Sequence, residues 1–190
     1  MIDLRHWLPF LDGWAAVRYE TKNRAVTRSI SQVIYDRDEI GWLDRISVVV
    51  SSKYVLVVAE IGGSSVEMVP EALYVRGKVS PVAREPYLAR YDDDESVYVV
   101  EYFGDFEPYR GDFRLTIQLP DSVELPDGTT VSVPEASATV YEIRVTRYKV
   151  VALDKFFRSV SEVLLSSVAG RAVSRRELGE VVAELRGVAP

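Results

Sequence analysis

Few side chains in this sequence could do covalent or acid–base chemistry, and the spacing of those few is uninformative. The single histidine, His6, lies between Arg5 and Trp7 in an aromatic stretch. A Ser-His-Asp relay needs that histidine as its base, and nothing around it marks a partner serine; His6 reads instead as a packed or surface residue. Cysteine is absent, which removes thiolate nucleophiles, thiolate metal sites and disulfides, and fits a reducing compartment. No HExxH, P-loop or GxGxxG pattern occurs, so zinc hydrolysis, phosphate cradling and dinucleotide binding lose their usual sequence support. The expectation is a protein with no catalytic residues, no metal and no cofactor.

Paired carboxylates are the remaining enzymatic option, because a glycosidase needs only two of them across a cleft. Glu101 and Glu107 are the candidates, and a carboxylate-based glycoside hydrolase is the remotest reading. The run Asp92-Asp93-Asp94-Glu95 offers oxygen ligands for a cation, but it lacks the spaced D-x-D-x-D-G loop of calcium sites. A solvated acidic loop describes it better.

Cations interleaved with aromatics are the strongest binding signal. Tyr74, Arg76, Lys78, Arg84, Tyr87, Arg90 and Tyr91, joined later by Arg147, Tyr148 and Lys149, alternate as in proteins that hold single-stranded nucleic acid by phosphate contact and base stacking. Within that set Arg84, Tyr87, Arg90 and Tyr91 are the contacts predicted. A net charge of −6 argues against a dominant basic surface, so nucleic-acid binding is the alternative and not the favoured function.

The charge is unevenly spread. Residues 92–137 hold twelve acidic and two basic side chains, whereas residues 138–190 hold six and nine. Opposed potentials on one chain steer copies toward each other and fix their register. An acidic solvated loop system gives the same numbers without any partner.

Three segments must position these residues. Residues 1–14 form an aromatic arm containing Leu4, Trp7, Leu8, Phe10, Leu11 and Trp14, with Pro9 and Gly13 preventing a long helix. Residues 15–150 read as strands. Asp44 to Gly63 predicts a buried hairpin covered on both faces, since Val48–Val50 and Val55–Val58 are apolar without alternation. A second hairpin is expected over residues 15–35, turning at Thr21–Arg24. Pro70 opens one helical turn, residues 78–94 form a long surface loop, and strands resume at 96–103 and 112–119. Pro126-Asp127-Gly128 turns into residues 129–133, and residues 138–150 form a long strand with Tyr141, Ile143 and Val145 on one side. With no helix suited to a crossover, about nine strands predict an antiparallel β-sandwich of jelly-roll type.

Residues 151–190 change period. Leu153, Phe156, Phe157, Val160, Val163, Leu164 and Val168 recur at helical spacing, and Ser174-Arg175-Arg176-Glu177 is a capping box opening a second helix. A C-terminal helical hairpin is predicted.

Side-chain amides are confined to Asn23, Gln32 and Gln118, a depletion typical of proteins from hot environments. The start of the chain lacks a signal-peptide cleavage pattern and no apolar run spans a bilayer, so a cytoplasmic or virion location is expected, with peripheral membrane contact left open by the tryptophans. These features together predict a homo-oligomeric structural protein, such as a virion coat or shell subunit from a thermophilic source. Its interface would use Trp7, Phe10 and Trp14 of the arm as anchors, with Arg171, Arg175 and Arg176 facing a neighbour's acidic segment.

Overall fold

The computed structural model describes residues 11–79, 87–92 and 97–168. They are mainly β: nine strands and two helices run in the order β1 (Trp14–Val26), β2 (Ser31–Val50), β3 (Leu56–Ile61), β4 (Ser64–Met68), α1 (Pro70–Val79), β5 (Tyr87–Asp92), β6 (Val97–Gln118), β7 (Ser122–Glu124), β8 (Thr130–Ser132), β9 (Ala138–Val150) and α2 (Leu153–Val168). Two compact units result. One comprises Val17–Arg147, the other Met1–Ala16 with Tyr148–Pro190.

Strand order departs from the order of the chain. The main sheet reads β1-β9-β2-β6-β3-β4, with β5 also on β6, while β7 and β8 form a separate ribbon. Neither predicted hairpin exists. β6 lies between β2 and β3, and β9 lies between β1 and β2; Thr21–Arg24 sits inside β1 and is no turn. Local apolar pattern identifies a strand but does not identify its neighbour, and in both cases a later strand takes the slot. The two strands expected at 96–103 and 112–119 are one strand of 22 residues. β5 occupies part of the expected long loop, and α1 runs for 10 residues where one turn was predicted.

Steric reach forces the β2–β6 ribbon to curl. Val50 pairs with Tyr98 at one end of β6, and Leu56 pairs with Gln118 at the other. Tyr98 and Gln118 would lie roughly 66 Å apart on a straight strand, yet the connection from Val50 to Leu56 spans at most about 21 Å. The ribbon therefore bends back on itself. Three register shifts in the β2–β6 ladder, at Gln32/Ile34, Asp36/Glu39 and Leu43/Arg45, supply the bends. At the third, a Cβ on Gly104 would meet the Leu43 carbonyl oxygen at 2.5 Å, so only glycine allows the two backbones to approach.

Curling brings both halves of the ribbon onto one core. Ile46, Val48, Val100 and Tyr102 from one half join Ile34, Phe113, Leu115 and Ile117 from the other, with Val57 and Ala59 of β3 and Val140 and Ile143 of β9. Burial alternates along the central runs: Val48, Val50, Val55 and Val57 are buried, while Val49, Leu56 and Val58 are half-buried. One face is thus sealed and the other only partly covered, short of the full two-sided burial expected. The strand pairings are antiparallel, and the strands of the described residues form one curled seven-stranded sheet plus a two-stranded ribbon.

Turns follow their chemistry. Gly62 and Gly63, with φ of 56° and 94°, close the two-residue hairpin between β3 and β4. Between β7 and β8 the Leu125 and Gly128 amides bond to Thr129 and Leu125 carbonyls, and the Asp127 carboxylate accepts the Thr129 amide at 2.9 Å. The first helix of the predicted C-terminal pair is α2; the second, from Ser174, lies outside the described residues.

Candidate functional site

The most concentrated chemistry lies inside the Val17–Arg147 unit, at the bulge of β2. Asp36 pairs with Phe113 and Glu39 with Gly111, so Arg37 and Asp38 together oppose Asp112 alone. Strand side chains alternate faces, and residues three apart normally point opposite ways. The extra residue, with Asp38 at φ 50°, reverses that parity and turns both carboxylates toward one guanidinium.

That guanidinium belongs to Arg147 of β9, which is 2% exposed. It donates to Asp36 and to Glu39, and at 3.3 Å to the Tyr109 hydroxyl. Tyr109 in turn donates to Glu39 at 3.1 Å, and the Phe113 ring lies 4.5 Å from the guanidinium carbon. Burial depresses the Arg147 pKa to about 10. Burial, reinforced by the Glu39 charge, pushes the Tyr109 phenol well above its usual value. One buried atom of the group, Arg147 Nε, has no hydrogen-bond partner.

Asp112 pins the bulge from outside. Its carboxylate accepts the Asp38 amide at 3.2 Å and the Tyr35 hydroxyl at 3.0 Å, while Arg37 Nε donates to the same hydroxyl at 3.0 Å. The Asp38 amide, then Tyr35, hold the Asp112 carboxyl below the ordinary aspartate range. Asp36, Arg37, Glu39, Asp112 and Arg147 are each engaged by a neighbour, so the arrangement acts as an internal brace that fixes strand register.

The sequence carries a signal for the burial of Arg147. It continues the phase of Ile143 and Val145, so a cation stands at a core position; grouped with Tyr148 and Lys149, it had the appearance of a phosphate contact. Its burial removes it from that role. Asp36, Glu39 and Tyr109 had no signal, because only the bulge brings them together.

Glu101 is also buried and engaged. It pairs with Arg45, accepts from Ser47 at 3.5 Å, and Arg45 lies 5.2 Å over the Phe103 ring. Glu107 pairs by backbone with Leu43, beyond the Gly104 bulge. Among the described residues no three carboxylates or imidazoles converge as metal ligands, and no helix is long and apolar enough to cross a membrane.

Of the predicted nucleic-acid contacts, Tyr87, Arg90 and Tyr91 lie on β5, opposite Tyr102, Val99 and Tyr98 respectively. Arg84 lies outside the described residues, as do His6, Trp7, Phe10, Arg171, Arg175, Arg176 and the run 93–95.

Trp14 is described, in the other unit. Its indole donates to the Leu11 carbonyl at 2.6 Å and packs edge-on against Tyr148 at 5.4 Å. The Gly13 carbonyl accepts the Val151 and Ala152 amides, and the Asp12 amide donates to Ser159 of α2 at 2.9 Å. Between these segments runs a groove of about 500 Å³ whose charges, Asp12, Lys155, Arg158 and Glu162, are of both signs. Compared with protein families, curated proteins and solved structures, the chain matches none of them.

Proposed function

We propose that this chain is a self-associating structural protein without catalytic function, a coat or shell subunit of a particle built for a hot environment. The observation that carries this reading is the apolar surface where β9 passes into α2: Val151 and Leu153 are 59% and 50% exposed. They follow Tyr148, the ring that Trp14 packs against, within five residues of sequence. Exposed aliphatic groups beside aromatics favour burial against another protein surface. The engagement of Glu101 by Arg45, and the burial of Arg147, weaken the glycosidase and nucleic-acid readings in turn.

Solution mass across a concentration series tests it. Trimming must stop at residue 10, because Leu11, Gly13 and Trp14 are bonded into the fold. An oligomer that loses mass on removal of residues 1–10, or on Val151→Asp with Leu153→Asp, supports the proposal. A strict monomer at millimolar concentration rejects it.

A further inference from the structure

β1 ends the main sheet. β9 covers one of its sides, and among the described residues no strand covers the other. β1 is 13 residues long, against 5 for β4 and 6 for β5. Soluble proteins blunt sheet edges by keeping them short, by proline, by bulges or by charged side chains, the last of which repel a second copy only where like charges meet. β1 contains no proline. Its one interruption is Asn23, at φ 54°, after which the alternation of burial changes phase. The segment before Asn23 is a regular, open ladder.

The side chains of that ladder are self-complementary. Arg18, Glu20 and Lys22 are exposed on the outer face, while Val17, Tyr19 and Thr21 are half-buried on the inner one. Two copies joined about a twofold axis perpendicular to the sheet keep their outer faces together, so each outer residue must oppose an outer residue. An axis at Arg18 sets Arg18 against itself. An axis at Glu20 sets Glu20 against itself and Arg18 against Lys22. An axis at Thr21 draws the Asn23 bulge into the paired run. Only an axis at Tyr19 sets Arg18 against Glu20 twice, Val17 against Thr21 twice, and Tyr19 against Tyr19, all clear of the bulge.

We propose that two copies of this chain pair β1 to β1, antiparallel about Tyr19, with Arg18 of each copy facing Glu20 of the other. This rests on the self-association proposed above and adds a second surface to the one at Val151 and Leu153. Cross-strand opposite charges and aromatic pairs stabilise such ladders, and like charges directly opposite destabilise them.

Because the native chain has no cysteine, a single introduced thiol reports only on its own counterpart. In the proposed register the two residues at position 19 stand about 4.5–5.5 Å apart at Cα, within disulfide reach. The two at position 21 stand roughly 14 Å apart. Oxidation of the Tyr19→Cys variant is expected to give a covalent dimer, and the Thr21→Cys variant none. Arg18→Glu is expected to weaken association about tenfold, and Arg18→Glu with Glu20→Arg to restore it. Equal cross-linking at the two positions, or association indifferent to all charge changes in an oligomeric native protein, overturns the β1 pairing while leaving self-association standing. A native chain that stays monomeric overturns both.

Discussion

Asp36 and Glu39 bind the same guanidinium from one strand, although three residues of spacing would place them on opposite faces of regular β structure. The bulge at Arg37–Asp38 makes this relationship, and Arg147 is the group that both carboxylates hold. Its stability consequences follow from what is left when a partner goes.

Arg147→Ala leaves Glu39 buried without its cation and is expected to cost about 3–5 kcal/mol. Arg147→Met combined with Glu39→Leu and Asp36→Asn removes the charges together and should cost far less. Denaturant unfolding of the single and triple variants measures the difference; equal losses would show that the brace acts through packing alone.

Asp112 has its folded pKa lowered from 3.8, first by the Asp38 amide and then by Tyr35. A carboxylate with a depressed folded pKa stabilises above its unfolded pKa, and that contribution is lost as pH falls through the folded value. Asp112→Asn should therefore lower stability near neutral pH, with the gap to the native protein narrowing below about pH 3.8. Thermal unfolding across pH 7 to 2 checks the sign.

Gly104→Ala places a methyl group against the Leu43 carbonyl oxygen, so backbone must shift to admit it. A loss of about 3 kcal/mol is expected. The same substitution at Gly128, where a Cβ meets nothing within 4 Å but φ is 82°, should cost about 1 kcal/mol through backbone strain alone.

Ser159 links α2 to the segment before β1 by accepting the Asp12 amide while donating to the Phe156 carbonyl. Ser159→Ala should cost about 1 kcal/mol. Hydrogen exchange at the Asp12 amide is the direct readout, and it should rise in the variant while amides of β2 and β6 stay protected.

Local chemistry was legible in the sequence wherever it decided the structure by itself. The Gly62-Gly63 turn, the Pro126-Asp127-Gly128 turn, the strand at 138–150 and the start of α2 all follow from residues within a few positions of one another. Partner choice was not legible, because Val48–Val50 and Val55–Val58 satisfy the same apolar pattern whether they pair together or each with β6. The acidic stretch shows the same limit at the level of the site. Its charge count implied a solvated band, yet Glu101 lies buried under Arg45 and Asp112 holds a bulge.

Insertion of β6 between β2 and β3 makes the timing of synthesis matter. A nascent chain that has reached residue 96 already contains both outer strands, with their valine-rich runs, but not the strand that separates them. Until residue 118 has left the ribosome, β3 has only β4 beside it, and its other edge and the valine-rich end of β2 stay open to pairing wrongly with each other or with another chain. Folding must then wait for long-range closure, which is slow and leaves sticky strands on display. Translation that stalls in the middle of this message should yield aggregates, and a chaperone that holds residues 44–63 apart should raise the yield of native protein.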